Sequence, residues 1–124
     1  MSEFTFLFRG RDRSASPEQM QKTMRNWVSW FKELSASGCL RDGGHPLADS
    51  GMVVSGTQKA VHAGTYAQGG DAVGGYMLIE ARDLAHAVEI SKSCPILENG
   101  GSVAVRPVEQ LKMPNGCRLL SAPA

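Results

Sequence analysis

The chain has 124 residues, 42% of them hydrophobic and 20% charged, which suits a single globular domain with one core. Its 13 basic and 12 acidic side chains nearly cancel, and no basic stripe marks a nucleic-acid partner. No apolar run approaches the roughly 20 residues that cross a bilayer, and no signal peptide is evident. We therefore expect a cytoplasmic protein with no nucleic-acid and no membrane partner.

The first predicted element is a strand over residues 4–9. Three phenylalanines alternate with other residues there and so share one face of the strand: Phe4, Phe6 and Phe8. Leu7 and Arg9 take the opposite face by the same alternation.

A helix is predicted to begin at Pro17. Ser16 is a suitable N-cap, Pro17 needs no hydrogen-bond partner at the first helical position, and Gln19 completes a capping box. Gly38 is the expected left-handed stop. Apolar residues at helical spacing predict one buried stripe, with Trp30 at its edge: Met20, Met24, Trp27, Val28, Phe31 and Leu34.

The middle of the chain, residues 39–73, is rich in Gly, Ser and Asp. Two short strands over residues 52–54 and 60–63 fit inside it, joined by a turn. Five glycines in residues 64–75 predict a mobile loop.

The second half begins with the strongest strand of the sequence, residues 75–81. Asp83 can cap a second helix, which ends at Cys94-Pro95, and its inward face is predicted to be Leu84, Ala87, Val88 and Ser91. A last strand covers residues 102–108, and Pro107 places it at a sheet edge because proline lacks a backbone donor. Residues 1–110 form the predicted domain and residues 111–124 a C-terminal tail.

These elements predict an α+β fold of the ferredoxin-like (split β-α-β) type, an antiparallel sheet with two helices on one face. The other face stays open and apolar, bearing Leu7, Leu78 and Val108, and a homodimer is the commonest way to cover such a face. We expect the first and third strands to be central neighbours that run parallel, so that Arg9, Tyr76 and Glu80 gather on the open face. There an Arg9–Glu80 pair would serve either as a structural ion pair or as part of a ligand cleft.

Several stretches together resemble one family. The matching pieces are Ser16-Pro17-Glu18, Leu34 with Gly38, Leu40 with Asp42-Gly43, Gly74-Gly75-Tyr76-Met77-Leu78-Ile79-Glu80-Ala81, Asp83-Leu84, Cys94-Pro95 and Gly100-Gly101-Ser102-Val103-Ala104-Val105-Arg106-Pro107-Val108. Across residues 4–109 the chain resembles the YCII-related proteins, in the branch named for a DGPF tetrapeptide. The resemblance implies a dimeric α+β barrel, with relatives that include muconolactone-isomerase-like and dehydrochlorinase-like enzymes.

Two positions depart from the pattern of that family. The DGPF motif falls at Ala63-Gly64-Thr65-Tyr66 and is degenerate. The helix position at which enzyme-like relatives carry a histidine, paired with an aspartate, is Trp27. A His/Asp acid–base pair on the first helix is therefore not carried over.

The remaining candidates for chemistry lie in loops. Asp42 and His45 could form an oriented general base, or only a solvated turn. His62, Tyr66 and Asp71 flank the glycine-rich loop, which could close over a ligand or be only a hairpin tip.

Three cysteines, Cys39, Cys94 and Cys117, lack any metal-ligand spacing and are expected to be reduced thiols. No metal and no cofactor are predicted.

Two functions remain open. One is a cofactor-free enzyme that catalyses isomerisation or elimination by proton transfer on a cyclic organic acid, with His45, His62 and Asp42 as catalytic candidates. The other is a non-catalytic interaction module whose open face only forms a dimer. We favour a dimeric small-molecule-binding protein of unproven activity. Its predicted ligand-binding residues are Arg9, Tyr66, Asp71, Tyr76 and Glu80.

Overall fold

A computed structural model describes residues 1–10, 16–65 and 72–110. Tyr66, Asp71, most of the predicted mobile loop and the tail after Gln110 lie outside these residues. The elements, in chain order, are β1 (Ser2–Arg9), α1 (Pro17–Ala36), β2 (Leu40–Asp42), β3 (Met52–Ser55), β4 (Ala60–Ala63), β5 (Val73–Ala81), α2 (Leu84–Ser91), a 3₁₀ turn (Pro95–Asn99) and β6 (Ser102–Pro107).

The main sheet has the strand order β2-β5-β1-β6, and every neighbouring pair is antiparallel. With β3 and β4 set apart as a separate two-stranded hairpin, this is the ferredoxin-like order, as predicted. The sheet of the single chain is open and does not close into a barrel. The dimeric barrel therefore stays a prediction.

The first helix begins and ends as the sequence indicates. The Ser16 hydroxyl accepts a hydrogen bond from the Gln19 amide while the Gln19 side chain accepts one from the Ser16 amide. At the other end Gly38 has a φ of +79°, which glycine adopts readily. The Cys39 amide then donates back to the Leu34 carbonyl.

The core lies between the sheet and the two helices. Phe6, Met77 and Ile79 from the central strands are fully buried, and Trp30 of α1 lies over them. Its ring stacks on Phe6 at a centroid distance of 6.2 Å and an interplanar angle of 12°. Both helices thus cover the face that carries the three phenylalanines.

The predicted stripe of α1 is wrong in its N-terminal half. Met20 and Met24 are 61% and 63% exposed, and Val28 of the same predicted stripe is 44% exposed. Trp30, predicted at the edge, is 3% exposed. The N-terminal half of the helix extends past the sheet and contacts the 3₁₀ turn, where the Asn99 side chain donates to the Thr23 hydroxyl at 3.5 Å, so Met20 and Met24 stay exposed. The C-terminal end of the stripe is confirmed, because Leu34 is buried.

The second helix is capped by Asp83, whose carboxylate accepts from the His86 amide at 2.8 Å. Ala87 and Ser91 are buried as predicted, but Leu84 and Val88 are largely exposed. With eight residues, α2 presents Ala87, Ser91 and the partly buried Ile90 to the core.

The expected parallel arrangement of the central strands is also wrong. In β1 and β5, Glu3 lies opposite Glu80 and Arg9 lies opposite Val73. Since Glu3 and Arg9 are six residues apart, about 20 Å separates Arg9 from Glu80, and they form no pair. In a split β-α-β unit the helical crossover makes β1 and β2 parallel, and β5, which lies between them, runs the other way.

The last strand lies at the sheet edge, where Pro107 was predicted to place it. The glycine-rich segment ends earlier than expected, because Gly74 and Gly75 already belong to β5. In the described ranges, no helix is both long and apolar enough to span a membrane.

Candidate open-face site

The sheet face away from the helices, here called the open face, carries side chains in four transverse rows. The middle row joins Arg106, Thr5 and Leu78, which lie opposite one another on β6, β1 and β5. The second row joins Ala104, Leu7 and Tyr76 in the same way. The two outer rows pair Glu3 with Glu80 at one end and Arg9 with Ser102 at the other.

The acidic row is neutralised by an arginine from the edge strand. Arg41 of β2 lies 3.3 Å from the Glu3 carboxylate and 3.4 Å from that of Glu80. All three side chains are partly exposed, so the pairs contribute little stability. Their main effect is that both acids and this arginine already have partners.

His45 reaches Tyr76 because the loop after β2 follows β5 closely. The Leu47 amide donates to the Gly74 carbonyl at 2.8 Å, and Pro46 forms a β-bridge with Gly75. The His45 ring therefore lies against the Tyr76 ring, with centroids 6.4 Å apart and an interplanar angle of 66°. This is an edge-to-face contact.

The conformation of this loop depends on Asp42 and Gly44. The Asp42 carboxylate accepts a hydrogen bond from the Gly44 amide at 2.8 Å, which closes a tight turn. Gly44 has a φ of +64°, and a Cβ there would overlap the Tyr76 carbonyl oxygen. The predicted Asp42–His45 dyad is thus a turn in which Asp42 orients the backbone, and the structure gives no contact from Asp42 to the imidazole.

The other predicted site residues are distributed as follows. His62 lies on β4, exposed, and is paired with Val53 across the hairpin. Arg9 is exposed at the end of β1, beyond a β-bulge. His86 is half-buried on α2, where its Nδ1 accepts from the Arg82 amide. The structure therefore brings together His45, Tyr76 and, one row away, Leu78.

Two arginines of the open face were missed from the sequence as site residues. Arg41 belongs to a three-residue strand, which is too short for its periodicity to show which way a side chain points. Arg106 could have been predicted, because alternation along β6 places its side chain on the other face of the strand from the inward-facing Val105.

Neither a metal centre nor a reactive thiol is found in the described ranges. No group of three or more metal-ligating side chains gathers there. Burial raises the pKa of the Cys94 thiol to about 12, against a smaller lowering by its backbone hydrogen bond at Ile96. Cys94 is therefore a packing residue and not a nucleophile.

Comparison with known proteins gives a family and a similar solved structure. The model of the YCII-related domain matches residues 4–112, and the chain belongs to that family. Among solved structures, it is similar to the 5-chloro-2-hydroxyhydroquinone dehydrochlorinase of Burkholderia phenoliruptrix, in complex with 2,5-dihydroxybenzoquinone. That likeness has 16% identity and a TM-score of 0.47, and it covers 86% of this chain and 95% of the other. No curated protein matches the chain significantly.

Proposed function

We propose that this protein is a cytoplasmic homodimer that binds a small cyclic organic molecule on its open face, without a cofactor. The observation that carries the proposal is the contact between His45 and Tyr76 beside the apolar side chains of Leu7 and Leu78. An apolar floor with a few polar groups at its border is the usual composition of a small-molecule site.

The shape of the open face suits a flat ring. Leu7 and Leu78 are diagonal neighbours on β1 and β5, and Tyr76 lies directly opposite Leu7. A ring laid on these side chains would have the His45 imidazole at its edge. Because the Glu80 carboxylate pairs with Arg41, Glu80 would border the site and not bind the ligand directly.

Binding can be tested with benzoate, salicylate and cyclohexanecarboxylate in protein-observed NMR titrations. We expect shifts at Leu7, Tyr76 and Leu78, and weaker binding by about tenfold in Tyr76→Ala, which removes a large aromatic contact. Val88→Ala, an exposed position on α2, is the matched control and should bind normally. The proposal fails if none of the compounds binds at millimolar concentration, or if the shifts fall only on the helices.

The dimer is a separate part of the proposal. Two open faces that pair would enclose the ligand site between them and cover the borders of Leu7 and Leu78, which are only half-buried in the single chain. Sedimentation at micromolar concentration should give about twice the chain mass of 13.3 kDa. Leu78→Glu should shift the protein to the monomer, whereas Met24→Glu on the exposed part of α1 should not. A wild-type protein that sediments only as the monomer would refute it.

A catalytic version of this site keeps the second function open. His45 would act as the proton-transfer group on a bound ring, because an imidazole both takes and gives protons near neutral pH. His62 stays an alternative candidate, on the hairpin. Turnover of a cyclic acid is the observation that would favour the enzyme.

A further inference from the structure

We propose that Arg106 anchors a negatively charged group of the ligand, so that the open-face site selects organic acids over their neutral analogues. This inference rests on the proposed function, since it assumes that a ligand binds on this face. It adds the ligand class and the residue that recognises it.

Of the three described arginines on the open face, Arg41 and Arg106 lie on the two edge strands and Arg9 lies in the outer row opposite Ser102. Arg41 is held by two carboxylates, those of Glu3 and Glu80, and its charge is already compensated. Arg106 is exposed on β6 and forms no ion pair with any described residue. A guanidinium without a protein partner can receive a carboxylate through two parallel hydrogen bonds.

Arg106 lies within reach of the apolar floor that Leu7 and Leu78 form. Arg106 lies opposite Thr5, and Thr5 lies opposite Leu78, so two strand spacings, about 10 Å, separate the Arg106 and Leu78 backbones. An extended arginine side chain covers much of that distance. A carboxylate attached directly to a ring would therefore reach Arg106 while the ring lies on Leu7 and Leu78.

The polar side chains near Arg106 on the open face already have partners. The Thr5 hydroxyl donates to the Met77 carbonyl at 3.1 Å, so its proton is already used within the sheet. Glu3, two residues before Thr5 on the same face, is the nearest acid along β1, and it is held by Arg41 and by the Gln110 amide at 3.5 Å. In the middle row, the charged group that can bind a ligand is therefore the positively charged guanidinium of Arg106.

The test compares three acids with their amides on the full chain. Benzoate, salicylate and cyclohexanecarboxylate are titrated beside benzamide, salicylamide and cyclohexanecarboxamide, in the wild type and in Arg106→Ala. We expect the wild type to prefer the acids, and Arg106→Ala to weaken acid binding about tenfold while amide binding stays unchanged. Arg106→Lys should restore part of the difference, because it keeps the charge but loses the paired geometry.

Two further arginine variants make the result specific. Arg25→Ala removes the same charge from the exposed surface of α1 and should leave acid binding unchanged. Arg9→Ala removes the arginine that the sequence predicted as a ligand-binding residue. It should also have little effect on acid binding. If Arg9→Ala carries the loss, or if Arg106→Ala binds the acids as tightly as the wild type, the anchor is not Arg106.

The failure of this inference differs from the failure of the proposed function. If acids and amides bind equally and both shift NMR signals of the open face, Arg106 is not an anion anchor, but the open-face site remains. Absence of any binding to either set would overturn both. Since Arg106 is exposed, an unchanged melting temperature will show that its variants are folded.

Discussion

The indole nitrogen of Trp30 donates a hydrogen bond to the Ser93 hydroxyl at 2.8 Å, which ties α1 to the chain just after α2. Ser93 in turn donates to the Ile90 carbonyl at 2.9 Å. Because the same indole stacks on Phe6, one side chain joins both helices to the central strand of the sheet.

Trp30→Ala should therefore be among the most destabilising single changes. It removes a buried aromatic side chain, and we expect a loss of about 3–5 kcal/mol in the free energy of unfolding. Ser93→Ala, which removes only the hydrogen-bond partner, should cost about 1 kcal/mol. Urea titrations measure both, with Met24→Ala as the exposed control on the same helix. A loss below 1 kcal/mol in Trp30→Ala would contradict the central role of this residue.

Gly44→Ala should disturb the loop that carries His45. The added Cβ would overlap the Tyr76 carbonyl oxygen, and the positive φ disfavours alanine as well. We expect a loss of about 1–3 kcal/mol in stability and a change in the NMR shifts of Tyr76. Gly43→Ala is the matched control, since a Cβ there meets no atom within 4 Å. Equal behaviour of the two variants would show that the loop does not depend on its approach to β5.

The buried thiol of Cys94 predicts a specific pH dependence of stability. Its pKa in the folded state is raised to about 12 by burial, whereas in the unfolded chain it ionises near 9. Between these values the unfolded state has lost the proton and the folded state keeps it, so this group makes the free energy of unfolding fall as pH rises. The slope from this group is at most about 1.4 kcal/mol per pH unit.

Comparison with Cys94→Ala isolates that effect from other groups that titrate at high pH. Denaturation at pH 8, 9, 10 and 11 should give a steeper decline for the wild type than for the variant. Parallel declines would mean that Cys94 ionises with the same pKa in both states. Thiol labelling of the native protein at neutral pH should also leave Cys94 unmodified.

If a cyclic acid is found to turn over, His45 should carry most of the proton transfer. Its ring lies on the Tyr76 ring at the open face, whereas His62 lies on the hairpin. We expect His45→Ala to lower kcat at least a hundredfold, and His62→Ala to have a smaller effect. Steady-state kinetics of the two variants separate the histidines. Should both retain the full rate, a carboxylate such as Asp42 or Glu80 becomes the candidate.

More of the fold than of the candidate site could be predicted from the sequence. Local signals were sufficient for the start of α1 at Ser16 and its end at Gly38, because capping and a left-handed glycine act within a few residues. The alternation of β1 also identified the buried face correctly. These features depend on the chain's own neighbours and not on tertiary contacts.

The errors arose where the answer depends on a distant segment. Met20 and Met24 match a helical stripe, but only tertiary packing determines how far along α1 the sheet extends. The pairing of Arg9 with Glu80 required the relative direction of two strands, and an incorrect direction moved Arg9 to the far end of the sheet. The pairing of Arg41 with Glu80 could be recognised only after the structure showed how β2 pairs with β5.

The two borders of the main sheet limit how this protein can aggregate. At one border β6 includes Pro107, which has no backbone donor to offer an added strand. At the other border β2 has only three residues, and the loop after it bends away from regular pairing at Gly44. An added strand could therefore pair along β6 only as far as Pro107, and along β2 over three residues, which hinders edge-to-edge extension of the main sheet into ribbons.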